Sequence, residues 1–471
     1  MSHIFIAIPL LSIIILNLPF RRIMKKIAVW LALALSISQI FLIIFSPPDL
    51  WNQNFGPLGA LFKFDLMIDG LSRIMLLCIG MVLLVSLLVG RHFFTRDEEN
   101  FNFVNLLLIT LIGMNGVALV TDIFSLFLFM EITAIASFIL VAFKKNSEGY
   151  EAAFKYIILS GIATVLMFAS IALLLLVSGA TSFTAIHTGL DNSRHNVLIM
   201  FAIGLFLCGL FIKGGLVPFH AWLPDAHSAA PAAVSIVLSG VQIKVLGAYA
   251  IIRLVNTVFG YTSSIGYMLL AVGMISIFFG ALAALGQRDF KRMLAYSSIS
   301  NMGYIILGFG CGTGLGTAGA LFHLFNHAVF KSLLFVNAAA VESRTGTRDM
   351  DKMGGLGSKM PLTSLSSVLA SLSAAGVPPL AGFWSKLIIV MALWGSGHHA
   401  YAVLAVLGSL VTLAYFLSMQ RRVFFGRIKD EYADIKEAGF GLVFPALILS
   451  VITVGVGLIF PFLPGITKFW R

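Results

Sequence analysis

The chain reads as long apolar runs joined by short polar connections. Most runs are near twenty residues, the length an α-helix needs to cross a hydrocarbon layer. They are continuous rather than alternating, which points to helices and away from a β-barrel. Fourteen spans are expected, at about 3–20, 27–46, 66–90, 103–121, 123–143, 152–178, 197–218, 230–255, 264–285, 293–310, 317–341, 362–395, 400–420 and 440–464. No connection exceeds about twenty residues, which leaves no room for a soluble catalytic domain, a nucleotide fold or a redox module. The expected fold class is an all-α polytopic membrane protein, because lipid offers the backbone no water to bond and each span must satisfy its own N–H and C=O groups.

Two spans carry internal interruptions. The seventh contains Lys213-Gly214-Gly215-Leu216-Val217-Pro218, in which Pro218 removes the bond to the Gly214 carbonyl. The twelfth contains Gly376-Val377-Pro378-Pro379, which frees the carbonyls of Ala374 and Ala375. Broken helices at corresponding places in two halves of a chain point to a transport site built from inverted repeats. Lys213 precedes its break and Lys386 follows its own, the reversal that inverted topology produces.

Composition agrees. Of 471 residues 59% are hydrophobic and 11% charged, against about 25% charged in soluble proteins; the mean hydropathy is +0.99. The net charge of +11 is explained by its distribution and is no nucleic-acid signal. Twenty Lys and Arg residues fall on alternate connections, from Arg21, Arg22, Lys25 and Lys26 through to Arg421, Arg422, Arg427, Lys429 and Lys436. The opposite connections and termini hold only Lys63, Arg194, Lys468 and Arg471. By the positive-inside rule the first set is cytoplasmic and both termini face outward across the cell's cytoplasmic (inner) membrane. The basic residues after the first run, with no small-residue cleavage site, mark a retained helix rather than a signal peptide. Cys78, Cys208 and Cys311 are far apart and form no CxxC pair, so no disulfide, metal centre or other cofactor is expected.

Against this apolar background five ionisable residues stand inside spans: Glu131, Lys213, Lys244, Lys331 and Lys386. Each costs roughly 2.5–3.5 kcal/mol at mid-membrane even on a lenient scale, so the default reading is a proton or cation path. Burial penalises an ammonium and a nearby carboxylate offsets the penalty, so Glu131 and Lys213 suit a relay; a static ion pair locking two helices is the plainer alternative. His323, His327 and Lys331, at i, i+4 and i+8, share one helical face and read as a proton wire. A structural polar seam, or a metal site from the His-x-x-x-His spacing, competes with that reading. Pro218-Phe219-His220-Ala221-Trp222-Leu223-Pro224-Asp225-Ala226-His227 reads as a short cytoplasmic connection in which His220, Asp225 and His227 either take up protons or merely fix the turn. Lys244, after Gln242, is the next relay station unless it snorkels to the surface. Asp69 and Arg73, at i and i+4, are expected to form a structural pair, and Asp122 to sit in an outer turn. Ser297, Ser298, Ser300 and Asn301 give the tenth span a polar face that either holds water or glues helices.

The run from Lys213 through Pro218–His227 to Ala230-Pro231 resembles the signature of the antiporter-like membrane subunits. These occur in respiratory complex I, in multisubunit Mrp sodium/proton antiporters and in membrane-bound energy-converting hydrogenases. Phe322-His323 through His327-Ala328-Val329-Phe330-Lys331, and Gly376-Val377-Pro378-Pro379 through Gly382-Phe383-Trp384-Ser385-Lys386, resemble two further motifs of that family. The resemblance implies a fourteen-helix core: three N-terminal helices (1–101), helices 4–8 (102–258) and 9–13 (259–425) as inverted repeats, and a final helix (426–471). It implies an inner half-channel couple at Glu131 and Lys213, a central connection at Lys244, a polar axis continued by His323, His327 and Lys331, and an outer half-channel loaded by Lys386. Lysine rather than glutamate at 386 argues against one complex I member, and the end of the chain after its fourteenth span against the largest. The smaller complex I paralogue, a D-like Mrp subunit or a hydrogenase-type subunit remain, and the Trp384-Ser385-Lys386 context favours the last two. The implied function is proton, or also sodium, translocation within a multisubunit complex, driven by redox chemistry in partner subunits. A Mrp-type antiporter without redox drive and a non-conducting scaffold are the rivals. The implied partners are further membrane subunits, including paralogues, and peripheral redox subunits where the drive is redox. The chain itself is expected to carry no catalytic residue.

Overall fold

The computed structural model describes residues 2–19, 21–47, 65–191 and 197–462. Lys63, Arg194, Lys468 and Arg471, the basic residues assigned to the outer side, lie outside the described residues, as do the last positions expected for the first and fourteenth spans. Among the described residues the chain is all-helical and forms no strand; isolated antiparallel bridges join Leu66 to Val120, Asp122 to Ser182 and Asp289 to Asp349.

The helices are α1 (Ile4–Leu16), α2 (Arg21–Phe45), α3 (Gly70–Phe93), α4 (Asp97–Leu119), α5 (Ile123–Val141), α6 (Ser147–Ser178), α7 (Phe183–Asp191), α8 (Val197–Lys213) and α9 (Trp222–Ala229). They continue with α10 (Ala232–Phe259), α11 (Ser263–Leu285), α12 (Phe290–Gly310), α13 (Gly314–Thr345), α14 (Pro361–Ala375), α15 (Ala381–Gly395), α16 (His399–Val423) and α17 (Phe440–Ile459). Ten of them are long and apolar enough to cross a membrane by length and composition, and α1, α8, α14 and α15 are shorter apolar helices.

Local chemistry sets the ends. Asp122, Asn146, Thr262, Asp289 and Thr313 cap the starts of α5, α6, α11, α12 and α13 by accepting from backbone N–H groups three residues on. Gly179 and Gly346 close α6 and α13 in the left-handed conformation. The basic residues Arg21, Arg22, Lys25 and Lys26 fall in the first turns of α2 rather than in a loop. α10 departs from α-helical winding, with π-helical turns at Leu238–Gln242, Lys244–Tyr249 and Val255–Phe259.

The chain divides into two compact units. The first comprises Met1–Leu87, Phe93–Gly214 and Gln242–Tyr261. The second comprises Leu88–His92, Gly215–Val241 and Thr262–Arg471. In the first, the α6/α8 and α4/α5 pairs pack most extensively; in the second, α11/α12 and α13 with its neighbours. Apolar side chains such as Ile135, Val165, Phe168 and Leu410 are exposed on outer faces, as lipid-facing positions require.

Candidate functional site

In the first unit, α5, α6 and α8 bring four polar side chains together. Lys213 Nζ donates to Glu131 Oε1 at 2.9 Å and to Ser160 Oγ at 2.6 Å. Thr164 Oγ1 donates to the same carboxylate oxygen at 2.9 Å. The Lys213 side chain is fully enclosed, whereas Glu131 keeps 21% exposure. Lys213 is the last residue of α8, and glycine places it there. A Cβ on Gly247 of α10 would lie 2.5 Å from the Gly214 Cα, so the two backbones touch and only glycine fits at the crossing. Lys244, one turn earlier on α10, is fully buried within a π-helical turn; such turns recur at functional sites. Gln242 beside it donates to Tyr156 Oη at 3.0 Å.

In the second unit the twelfth expected span is two helices, α14 and α15. Gly376 ends α14 at φ +87°, with Gly376 N–H bonded to Ser373 O and Val377 N–H to Leu372 O. Lys386, on the second turn of α15, reaches back 3.4 Å to the carbonyl of Ala375, one of the two that the proline pair frees. Its ammonium also lies 4.2 Å from the centroid of the Tyr304 ring on α12. A Cβ on Gly382 would stand 1.9 Å from Ser373 O, so glycine lets α15 start against α14.

The histidine face of α13 runs beside this cluster. His323 Nδ1 and Ser385 Oγ are 2.9 Å apart, and the His323 ring lies 5.8 Å from Tyr304. The His323 and His327 rings are near-parallel with centroids 6.3 Å apart. One turn further, Lys331 Nζ donates to Leu294 O at 2.9 Å and to Ser297 Oγ on α12, and sits 5.9 Å from the Phe416 ring. The structure thus gathers Lys386, Tyr304, His323, His327 and Lys331 within the second unit, and Glu131, Lys213 and Lys244 within the first.

The segment 218–227 differs from its expectation. Its second half is no mere connection: after the exposed Pro218 and Ala221, Trp222–Ala229 form a helix whose Trp222 and His227 are buried. The Val217 N–H bonds Ser276 Oγ halfway along α11. His220 lies 4.4 Å from Phe279, Asp225 pairs with Arg292 at 2.6 Å, and Arg348 donates to the Ser228 carbonyl. α9 therefore runs antiparallel to α12 toward its N-terminus, with Pro224, which read as loop punctuation, in its first turn. His227 stacks on Phe335 at 4.8 Å. Pro218 and the Pro378-Pro379 pair mark both interruptions, each with a cis peptide bond.

A second expectation is overturned. Asp69 pairs not with Arg73 but with Arg253 of α10, by two bonds, one of them at 2.7 Å, and Arg73 donates to the Ile43 carbonyl. Tyr249 Oη accepts from Arg253 and donates to Ala118 O, completing the cluster. The i,i+4 spacing misled because Asp69 precedes the first turn of α3 and turns its carboxylate to cap Ser72. Sequence reasoning missed Ser160 and Thr164 beside Glu131 and, in the second unit, Tyr304. The signal for Tyr304 was present: with Ser297 and Asn301 it falls on the polar face of α12.

Residues 120–412 match the family described as NADH:quinone oxidoreductase/Mrp antiporter, transmembrane. The chain is 31% identical over 403 residues to the Na(+)/H(+) antiporter D-type component of Alkalihalophilus pseudofirmus, covering 84% of this chain and 81% of that one. It is 29% identical to the NADH-quinone oxidoreductase N-type component of Desulforudis audaxviator, over 97% of this chain and 93% of the relative. Its fold superimposes on a chain of the Mrp complex from Dietzia sp. DQ12-45-1b with a TM-score of 0.90 and 24% identity, covering 100% of this chain and 96% of the other. The chain belongs to the NADH:quinone oxidoreductase/Mrp antiporter transmembrane family.

Proposed function

We propose that this chain is a proton-translocating subunit of a multisubunit membrane complex, built as two inverted repeats, helices 4–8 and 9–13, within fourteen spans. One observation carries the reading: Lys213, Lys244, Lys331 and Lys386 are all buried, at 4% exposure or less, inside apolar helices. Four enclosed ammonium groups are too costly to be kept as packing. Protons enter from the cytoplasmic side near His220, Asp225 and His227, pass the central lysines and the His323–His327 face, and leave outward from Lys386. The breaks at Gly214–Pro218 and Pro378-Pro379 supply the polar backbone that lines each half of the route.

Electrostatics couples the steps. At an effective dielectric of about 20, two unit charges roughly 8–10 Å apart interact by about 2 kcal/mol. That exceeds the roughly 1.4 kcal/mol that changes occupancy tenfold. Swinging Glu131 away from Lys213 is therefore enough to drive a proton onward. The exposed side of Glu131 lies among Leu128, Ile132 and Ile135, which are also exposed. A carboxylate facing lipid is costly, so a neighbouring membrane subunit covers this face.

The likeness to a sodium/proton antiporter component supports a gradient-driven exchange of sodium for protons. The likeness to a quinone oxidoreductase component supports redox drive by peripheral partners. The test is proton and sodium flux in vesicles carrying the purified complex, with a sodium pulse and with reductant supplied separately. Lys213→Ala and Lys386→Ala are each expected to bring proton flux to background. Assembled variants that move ions at the wild-type rate reduce the chain to a scaffold.

A further inference from the structure

The second unit holds a buried polar seam that the route above does not use. It begins at Glu437, which is partly exposed just before α17 and accepts from Leu362 N–H at 2.8 Å and from Thr363 Oγ1 at 2.6 Å. Three residues along α14, Ser366 Oγ donates to Asn337 Oδ1 of α13 at 2.8 Å. Gln420 Nε2 of α16 donates to Ser367 Oγ at 2.8 Å and to Ser371 Oγ at 3.0 Å. Gln420 is one turn from Phe416, whose ring lies beside the Lys331 ammonium. Asn337 is six residues from Lys331, about 9 Å along α13. Thr363, Ser366, Ser367, Ser371, Asn337 and Gln420 are all 2% exposed or less.

Hydrogen-bonded serines hold helices together, and that explains one end of each amide. It does not explain the other. Asn337 Nδ2 and Gln420 Oε1 are buried with no hydrogen-bond partner among the described residues. Ser332 Oγ, next to Lys331 on α13, is in the same condition. Buried polar atoms left this way are costly, and native proteins satisfy them with enclosed water. These three atoms belong to the stretch between Glu437 and Lys331.

We infer that this seam is a water-filled proton path between Glu437 and Lys331, a second access route on the side proposed to be cytoplasmic. The inference rests on the transport reading and adds a route that feeds the second unit directly. Neutral amides and hydroxyls carry no net charge along it, so it passes protons through relayed hydrogen bonds while rejecting hydrated cations.

The test pairs a structure with a flux assay on the full-length chain in its complex. High-resolution cryo-electron microscopy is expected to show water densities within hydrogen-bonding distance of Asn337 Nδ2 and Gln420 Oε1. Gln420→Leu and Asn337→Leu are expected to lower proton flux at least tenfold, and Gln420→Glu, which keeps a polar end, to stay within threefold of wild type. Wild-type flux in both leucine variants, in a preparation where Lys386→Ala is inactive, overturns the path and leaves the transport reading standing. Wild-type flux in all three overturns both. If a leucine variant does not assemble, the wild-type density decides: a dry seam at a resolution that shows other buried waters ends the proposal.

Discussion

The two units enclose a lysine beside a helix break and compensate it differently. In the first, the Lys213 ammonium meets a full opposite charge, Glu131, at 2.9 Å. In the second, no carboxylate among the described residues pairs with Lys386, which has a freed carbonyl at 3.4 Å and a tyrosine face at 4.2 Å. A charge pair is strong and binary, and it changes state only when one member moves or is neutralised. Dipoles and a ring quadrupole stabilise an ammonium more weakly and leave no counter-charge behind when the proton departs. The contrast suits a coupling element in the first unit and a release element in the second.

Four substitutions test that contrast. The largest effect is expected from Glu131→Gln, which leaves a buried ammonium without its partner. Losing one member of a buried pair costs about 3–5 kcal/mol. The variant should unfold at lower temperature in detergent and lose about a hundredfold or more in proton flux. Equal stability and flux would mean that the first unit also works on dipoles alone. Gly247→Ala comes next. Its Cβ would meet the Gly214 Cα at 2.5 Å, so α8 and α10 must separate. Overpacking of this kind costs roughly 1–3 kcal/mol, and a drop in thermal stability is expected together with loss of flux, since Lys213 and Lys244 flank the contact. The smallest effect belongs to the second unit. Tyr304→Leu removes the ring beside Lys386, worth up to about 2 kcal/mol for a desolvated cation, and should slow flux by roughly tenfold to thirtyfold. Tyr304→Phe keeps the ring and should stay within about threefold. If Tyr304→Phe slows flux as much as Tyr304→Leu, the hydroxyl matters and the ring does not; wild-type flux in both removes any role for this residue.

Much of this was open to reading in the sequence, for identifiable reasons. Apolar runs of membrane length announce themselves, and the helices fall where those runs do, from Ile123–Val141 to His399–Val423. Gly and Pro next to a lysine marked both interruptions, because their backbone effects are local. The partner of Asp69 was hidden because Arg253 lies 184 residues away, while a local decoy stood at Arg73. The helix Trp222–Ala229 was hidden because prolines and titratable groups describe a loop in water and a half-helix in a protein interior equally well. The π-helical turns around Lys244 left no mark on hydropathy, and Tyr304 was passed over although it continues the polar face of Ser297 and Asn301.

Tyr304 is tied at its far end. Its hydroxyl donates to the Ala405 carbonyl at 2.7 Å and is 2.9 Å from Ser409 Oγ, so α16 holds the ring in place whatever happens on its other face. The lysine tail beside it is then the only part that must rearrange when a charge arrives or departs. Under the proposed route, a cradle anchored from behind reorganises little between cycles, which favours many rapid turnovers at Lys386 over tight retention of any one proton.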